Sequence, residues 1–163
     1  MNQKVFLVGL PGAGKTTTGK ELADALNWKF VDLDDLIESR VGKTVTEIFN
    51  EGESTFRLRE KEALLAAIEN KADLIISTGG GAPCFHSNMA LMLASGKVVF
   101  LDTDLKEIEK RILNESHRPL LQGQDISEKI SRLNELRRPF YQKAHITYHE
   151  YETLSTLIDK IRK

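Results

Sequence analysis

The chain has 163 residues, of which 40% are hydrophobic and 29% are charged, and this composition is that of one globular domain and excludes a disordered or collagen-like chain. The net charge of −1 argues against a dedicated binder of nucleic acids or anionic membranes. The single cysteine, Cys84, allows no internal disulfide, and the apolar stretches are too short to span a bilayer. We therefore expect a cytoplasmic monomer without a signal peptide.

Strand and helix patterns alternate along the chain. The runs predicted as strands are compact apolar or β-branched stretches rather than strict alternations, as in strands that are buried on both faces of a parallel sheet. In chain order, the predicted elements are strand Val5–Val8, helix Thr17–Leu26, strand Lys29–Asp32, helix Glu53–Glu69, strand Leu74–Ser77, helix Ser87–Ala94, strand Lys97–Leu101, helices Leu105–Leu113 and Ser127–Arg138, strand His145–Tyr148 and helix Thr153–Ile161. Pro139 is expected to end or kink the helix before it. The alternation predicts an α/β domain with right-handed crossovers and leaves the strand order open.

The segment Gly9–Thr16 matches the phosphate-loop pattern G-x-x-x-x-G-K-[ST] at every fixed position. It follows a predicted strand and begins a predicted helix, which is the context that this loop requires. Its backbone N–H groups would bind phosphate oxygens, Lys15 would reach the β- and γ-phosphates, and the Thr16 hydroxyl would ligate Mg²⁺. The nucleotide-binding residues expected here are Gly12, Ala13, Gly14, Lys15, Thr16 and Thr17.

A phosphate loop alone does not choose between a kinase, a switch GTPase and an ATPase module. The chain is too short for an additional regulatory or DNA-engaging domain, which favours a small-molecule kinase.

Carboxylates close the second predicted strand, in the run Val-Asp-Leu-Asp-Asp. Asp32 and Asp34 are two residues apart, so on a strand they would share one face at its carboxyl end, where ligands of open α/β sheets bind. One carboxylate would hold Mg²⁺ through water, and the other would accept a hydrogen bond from an acceptor hydroxyl. The alternative makes Asp34 or Asp35 the N-cap of a helix over Leu36–Val41.

Several motifs occur together and in order along the whole chain. They are Gly9–Thr16, Asp32–Asp34, Phe56–Arg57, Thr78–Gly81, Arg118–Leu121 and Arg137–Tyr141. With these motifs the chain resembles the shikimate kinases from end to end. The resemblance implies a single P-loop kinase domain over residues 1–163, with a three-layer α/β/α sandwich and a five-stranded parallel sheet like that of nucleoside monophosphate kinases. It also implies ATP- and Mg²⁺-dependent phosphorylation of the 3-hydroxyl of shikimate, in aromatic amino acid (chorismate) biosynthesis.

The resemblance also assigns roles to individual residues. Asp34 would bind shikimate hydroxyls and orient or deprotonate the attacking one, and Asp32 would hold Mg²⁺ through water. The residues implied in shikimate binding are Asp34, Arg57, Gly79, Gly80, Gly81 and Arg137, with Phe49 and Phe56 near the ring and Glu60 supporting Arg57. Arg111 would lie against the adenine. Arg118 would stabilise the migrating phosphoryl group and belongs to a lid expected over residues 114–124. The acceptor-binding segment is expected over residues 33–61.

Simpler interpretations remain open for these residues. Arg57 and Glu60 are three residues apart on a predicted helix, where an ordinary surface ion pair is common. Arg137 would cap helix carbonyls, residues 114–124 would form a surface loop, and Gly79–Gly81 would be a tight turn.

Other functions also remain open. The rival enzymes are gluconate kinase and nucleoside monophosphate kinases, and the rival class is a nucleotide-gated binding module without turnover. The loop 148–153 departs from the family pattern, because it lacks the proline and the basic residue beside adenine.

Overall fold

A computed structural model describes residues 2–115 and 125–163 of the chain. The described strands form one parallel sheet in the order β2-β3-β1-β4-β5. They are β1 (Lys4–Val8), β2 (Lys29–Asp32), β3 (Leu74–Ser77), β4 (Lys97–Asp102) and β5 (Ile146–His149). The predicted α/β class with five parallel strands is therefore confirmed, and each strand lies within one residue of its predicted bounds.

Helices connect and flank these strands. Among the described residues they are α1 (Lys15–Leu26), α2 (Leu33–Val41), α3 (Val45–Glu51), α4 (Glu53–Glu69), α5 (Asn88–Ser95), α6 (Leu105–Asn114), α7 (Ile126–Tyr141) and α8 (Leu154–Arg162), with a 3₁₀ turn over Ala82–Cys84. The sequence interpretation missed α3. This helix begins with a capping box, in which the side chains of Thr44 and Glu47 each accept a hydrogen bond from the other residue's backbone N–H. The spacing Thr-x-x-Glu was the available signal.

The helices cover both faces of the sheet. Helix α1 packs against α8, and α4 packs against α5. Because crossovers are right-handed and the chain reverses its direction along the sheet after β2, these two pairs lie on opposite faces. Strands β1 and β3 are buried along their whole length, as expected for central strands of a three-layer sandwich. No helix in the described part of the chain has both the length and the apolar character needed to cross a membrane.

Helix α7 corrects the expectation for Pro139. The helix continues through Pro139 to Tyr141, and the Gln142 N–H donates to the Arg138 carbonyl at 2.9 Å. Pro139 cannot donate to the carbonyl of Glu135, but Glu135 is exposed, so water can satisfy that group. The fully buried ring of Tyr141 then anchors the last turn, which packing stabilises despite the missing hydrogen bond.

Candidate active site

The phosphate loop lies between β1 and α1 at the carboxyl edge of the sheet. Gly12 and Gly14 have φ angles of +82° and +93°, which glycine adopts without the steric cost of a Cβ atom. Gly14 occupies the N-cap of α1 and has no side chain to cap the first turn, and the N-terminus of a helix is a favourable place for an anion. The Lys15 ammonium is buried and donates to the carbonyls of Gly9 and Leu10, both at 2.8 Å.

Side chains from β4 and α6 brace this loop. The Thr103 hydroxyl, just after β4, donates to the Ala13 carbonyl at 2.9 Å. Arg111 donates to the Gly12 carbonyl at 3.1 Å and pairs with Glu107 at 3.2 Å. The structure thus places Arg111 beside the nucleotide loop, and its predicted contact with adenine stays a prediction. Thr103 was missed, because a lone threonine after a strand carries no sequence signal for a contact ninety residues away.

The carboxylates after β2 are arranged differently from the prediction. The strand ends at Asp32, and Asp34 lies in the first turn of α2, so the two residues do not share a strand face. Asp32 is the N-cap and accepts from the N–H groups of Asp34 and Asp35 at 2.9 and 3.3 Å, so neither Asp34 nor Asp35 is the cap. The other oxygen of Asp32 accepts from the Thr16 hydroxyl at 3.2 Å.

The carboxylate of Asp34 has too few favourable partners among the groups around it. Its Oδ1 atom is buried and has no hydrogen-bond partner among the described residues. Burial, with the negative charge of Asp32 as a second cause, raises the pKa of Asp34 to about 6, although the Lys15 ammonium acts in the opposite direction. Such a carboxylate can accept a hydrogen bond or a proton from a ligand near neutral pH.

The oxygen donors at this edge fit a magnesium–nucleotide complex. Within residues 2–115 and 125–163, no three His, Cys, Asp or Glu side chains are placed to hold a metal ion. Mg²⁺, however, commonly takes only one or two protein ligands and completes its shell with phosphate oxygens and water. The neighbouring Thr16 hydroxyl and Asp32 carboxylate beside the phosphate loop supply that donor set.

Arg57 is buried rather than part of a surface ion pair. Its side chain is only 7% exposed, and it donates to Glu60 at 2.9 Å and to the exposed Glu53 at 3.4 Å. Its guanidinium also lies over the rings of Phe56 and Phe85, at 5.2 and 4.1 Å. The surface-pair alternative is therefore excluded for Arg57.

Glu60 is the second buried carboxylate. Its side chain is 1% exposed, and its Oε2 atom has no hydrogen-bond partner in the described part of the chain. Burial, with a further contribution from the charge of Asp34, raises the pKa of Glu60 to about 7, although the positive charges of Arg57 and Arg137 oppose the change. The carboxyl group is therefore balanced between its charged and neutral forms.

The glycine turn after β3 lets these charged groups converge on the backbone. A Cβ atom on Gly79 would lie 3.4 Å from Asp34 Oδ1, and one on Gly80 would lie 2.9 Å from Arg137 Nη1. A Cβ atom on Gly81 would lie 2.5 Å from Arg57 Nη2, a distance that real contacts do not allow. The turn is thus more than a tight connection, since each glycine faces a different charged side chain of the predicted acceptor site.

Tyr141 fixes this turn from α7. Its hydroxyl donates to the Gly80 carbonyl at 2.5 Å, and its ring packs against Phe100 at 5.3 Å. Burial raises the pKa of Tyr141, so the hydroxyl stays protonated and remains a donor. No role had been predicted for this residue beyond its place in the motif Arg137–Tyr141.

The predicted residues line one cleft of about 1240 Å³. Its lining includes the predicted residues Gly12, Ala13, Gly14, Lys15, Thr16, Thr17, Asp32, Asp34, Arg57, Gly79, Gly80, Gly81, Arg111 and Arg137. Arg118 and most of the predicted lid lie outside the described residues. In the loop 148–153, Tyr148 and Glu150 line the cleft, but the adenine contacts on that side stay unassigned.

One tetrapeptide bears on the choice between a kinase and a GTPase. Asn70–Asp73 matches Asn-Lys-x-Asp, the guanine signature of GTPases, so an argument for a kinase from the absence of this signature is wrong. The segment lies at the amino end of β3, at the opposite edge of the sheet from the phosphate loop, where Asp73 accepts from the Gln3 N–H at 2.6 Å. From that edge it cannot reach a base bound at the phosphate loop.

Comparison with known proteins decides the family. A family model described as shikimate kinase matches residues 11–163. A shikimate kinase of Parabacteroides distasonis is 46% identical over 158 residues, covering 94% of this chain and 91% of that protein. The chain belongs to the shikimate kinase family. It is an ATP-dependent kinase that acts on a hydroxyl of shikimate, the known reaction of this family.

Solved structures agree with this assignment. The crystal structure of shikimate kinase from Bacteroides thetaiotaomicron has a TM-score of 0.87 at 40% identity, covering 98% of this chain and 94% of that one. Shikimate kinase from Acinetobacter baumannii, solved in complex with shikimate, also has a TM-score of 0.87, at 36% identity, with 99% and 92% covered. The fold is that of the family, a P-loop kinase sandwich like that of nucleoside monophosphate kinases.

Proposed function

We propose that the described cleft transfers the γ-phosphoryl group of ATP to the 3-hydroxyl of shikimate, giving shikimate 3-phosphate and ADP, with Mg²⁺ required. The observation that carries this proposal is the position of Asp34. Its unpartnered carboxylate oxygen lies in the same cleft as the phosphate loop and the buried Arg57. The complex of the Acinetobacter baumannii relative with shikimate supports the choice of acceptor.

The nucleotide side of the site would position and neutralise the phosphates. The first N–H groups of α1 and the Lys15 ammonium would hold the β- and γ-phosphates. The Thr16 hydroxyl and, through water, Asp32 would hold Mg²⁺, which when bound neutralises developing charge on the phosphoryl oxygens. Arg111 would lie beside the nucleotide. The resemblance places Arg118 on the migrating phosphoryl group, and this stays a prediction.

The acceptor side would orient the attacking hydroxyl. Arg57 and Arg137 would bind the shikimate carboxylate, and Gly79–Gly81 would contribute backbone donors. Asp34 would accept a hydrogen bond from the 3-hydroxyl and take its proton as the oxygen bonds to the γ-phosphorus. The bond from phosphorus to the bridging oxygen breaks, and ADP leaves. Most of the rate enhancement would come from this alignment.

We also propose that the chain works as a single-domain monomer in the cytoplasm, without a nucleic-acid or membrane partner. The net charge of −1 supports the part of this proposal that excludes nucleic-acid and anionic-membrane partners.

Acceptor specificity and the role of Arg57 can be tested together. Shikimate, gluconate, CMP and AMP would be compared in an ADP-coupled assay, and we expect turnover with shikimate alone. Arg57→Ala should then weaken shikimate binding by roughly thirtyfold to several thousandfold, since removing one partner of a desolvated charge pair typically costs about 2–5 kcal/mol. ATP binding should hardly change.

Arg59→Ala is the matched control, because Arg59 lies on the same helix in an exposed pair with Glu62. It should leave both affinities unchanged. Equal shikimate affinity in Arg57→Ala and Arg59→Ala would contradict the acceptor assignment, and turnover of gluconate or a nucleoside monophosphate in place of shikimate would contradict the proposed reaction.

A further inference from the structure

Phe85 is an aromatic residue close to the acceptor site to which neither the sequence patterns nor the resemblance assigns a role. Its ring centroid lies 4.1 Å from the central carbon of the Arg57 guanidinium. Two other rings surround the same group at larger distances, Phe56 at 5.2 Å and Phe49 at 5.7 Å. Phe49 and Phe56 line the cleft, whereas Phe85 does not, so it contacts Arg57 from outside the cleft.

The backbone before Phe85 is held by two hydrogen bonds between residues that are close in sequence. The segment leaves the glycine turn as a 3₁₀ turn, in which the Ala82 N–H donates to Gly79 and the Cys84 N–H to Gly81, both at 3.0 Å. The distance between this segment and the acceptor site is therefore set by Gly79 and Gly81, which also face charged side chains of that site.

The backbone after Phe85 is held as well. Asn88 is fully buried, and its side chain donates to the Ala82 carbonyl at 3.0 Å while its backbone N–H donates to the Phe85 carbonyl at 2.9 Å. The ring of Phe85 is therefore presented to Arg57 by a turn that is fixed at both ends.

Arg57 needs such a fixed surface because its acidic neighbours hold it unequally. Glu60 binds one guanidinium nitrogen at 2.9 Å from a buried position, whereas Glu53 lies at 3.4 Å with a side chain that is 59% exposed. A cation that is held closely on one edge and only by a long contact to an exposed partner on the other can rotate toward solvent. A ring against its flat face opposes that rotation and leaves the N–H groups, which lie in the plane of the guanidinium, able to bind a carboxylate.

We propose that Phe85 is a positioning residue for the transfer to shikimate: its ring holds the Arg57 guanidinium in the orientation that binds the acceptor carboxylate. This inference rests on the proposed function of Arg57. Phe85 acts on acceptor affinity through pre-organisation, because every orientation of Arg57 that cannot bind the carboxylate lowers the apparent affinity by its population.

The test is steady-state kinetics and shikimate titration of Phe85→Leu and Phe85→Tyr. Leucine keeps an apolar side chain but has no aromatic face, so we expect KM and Kd for shikimate to rise by about threefold to thirtyfold, as expected for a cation–π contact. The KM for ATP and kcat at saturating shikimate should stay near the parent values. Tyrosine keeps the ring at this half-buried position and should restore shikimate affinity to within about twofold of the parent, because the aromatic face is retained.

Two further variants separate positioning from stability. Phe140→Leu makes the same change at the pair of Phe140 with Lys143, 5.2 Å apart, and should leave shikimate affinity unchanged. In an Arg57→Ala background, Phe85→Leu should cause no additional loss of shikimate affinity, since the two residues act as a unit.

Three results would overturn the inference. The first is a parent-like shikimate Kd in Phe85→Leu. The second is that Phe85→Leu causes as large a loss of shikimate affinity in the Arg57→Ala background as in the parent. The third is a drop in kcat and in both affinities that follows a lower melting temperature, which would make Phe85 only a stabilising residue. If the parent protein itself fails to bind shikimate, the proposed function fails, and that result is distinct from all three.

Discussion

At the scale of single residues, the acceptor site keeps carboxylates in places where they reduce stability. Asp34 and Glu60 each have a buried oxygen without a hydrogen-bond partner among the described residues, and burial raises the pKa of both groups. An unpaired buried polar group costs free energy in the absence of ligand. The arrangement is consistent with a site whose remaining hydrogen bonds are made by a bound acceptor.

Replacing Asp34 by asparagine should lower turnover and raise stability. The folded pKa of about 6 is above the ordinary value of 3.8, so the stability contributed by protonated Asp34 is present below pH 4 and lost as pH rises through 6. At pH 8, Asp34→Asn should therefore be more stable than the parent by about 2 kcal/mol, with little difference at pH 4. Turnover should fall by at least about a hundredfold, because the proposed general base is lost.

Thermal unfolding at pH 4 and pH 8, with kcat at pH 8, checks the Asp34 prediction. Asp35→Asn serves as the control, because Asp35 is exposed and lies one residue further along the same turn. It should retain turnover. A stability gain in Asp34→Asn that is larger at pH 4 than at pH 8 would contradict the assigned direction of the pKa shift.

Shikimate binding should be accompanied by proton uptake at Glu60. The groups that face Glu60 are Arg57 on its own helix, Asp34 from α2 and Arg137 from α7. Its pKa is about 7 without ligand, and the shikimate carboxylate would add a further negative charge beside it and raise the pKa again. At pH 7.5, calorimetric titrations in buffers of different ionisation enthalpy should therefore show net uptake of a fraction of a proton.

The Glu60→Gln variant should lose this uptake, and Glu53→Gln should keep it. Glu53 also pairs with Arg57 but is largely exposed, which makes it the matched control. A parent enthalpy that is independent of the buffer, or uptake that persists in Glu60→Gln, would refute the assignment to Glu60.

At the scale of elements, the turn Gly79–Gly81 connects β3 to the acceptor site. Its backbone approaches charged side chains from α2, α4 and α7, and side chains at Gly80 and Gly81 would displace the arginines on α7 and α4. Tyr141 then fixes the carbonyl of Gly80. The turn thus sets the distances between three helices that are far apart along the chain.

Gly81→Ala should reduce shikimate affinity without comparable loss of fold stability. The φ angle of Gly81 is −88°, which alanine adopts freely, so the cost comes from a Cβ atom 2.5 Å from Arg57 Nη2. The guanidinium must move, and we expect the KM for shikimate to rise by at least about tenfold while the KM for ATP stays near its parent value.

Gly96→Ala provides the contrast to this variant. A Cβ atom there would meet the backbone oxygen of Lys4, at the amino edge of the sheet. It should lower the melting temperature and leave the KM for shikimate unchanged. Kinetics and thermal unfolding of both variants check the prediction, and a shikimate effect of equal size in both would make Gly81 merely structural.

At the scale of the whole molecule, parallel strands bring distant segments to one edge. The phosphate loop follows β1, Asp32 ends β2, the glycine turn follows β3 and Thr103 follows β4. Helix α7 is tied to this edge by Arg138, which donates to both oxygens of Asp102 at 2.8 and 2.7 Å. Ligands that bridge these segments should therefore stabilise the whole domain.

Saturating ligands should raise the melting temperature in a site-specific way. At a shikimate concentration of about 100 times Kd, linkage gives about 2.7 kcal/mol, which corresponds to roughly 5–11 °C for a domain of this size. Arg57→Ala should lose this shift at the same shikimate concentration and keep the shift caused by ADP, whereas Lys15→Ala should show the opposite pattern. Thermal unfolding with each ligand separately checks this. Loss of both shifts in either variant would argue against two separable subsites.

Local patterns were sufficient for the strands and for the nucleotide loop. Apolar or β-branched runs predicted β1 to β5 within one residue, because such a run is a signal contained in each strand by itself. The loop Gly9–Thr16 was predicted for the same reason, since its chemistry is contained in eight consecutive residues. Helix α3 was missed, although its capping box is equally local.

Tertiary structure alone decided which charged groups are buried and what they face. A pair three residues apart on a helix, such as Arg57 and Glu60, has the same spacing on the surface and in the interior, and only packing shows that it is buried. Asp34 was placed on a strand by alternation, but the cap at Asp32 ends the strand and begins α2 there. The contacts of Thr103, Tyr141 and Phe85 join segments of different strands and helices, so no local pattern could predict them.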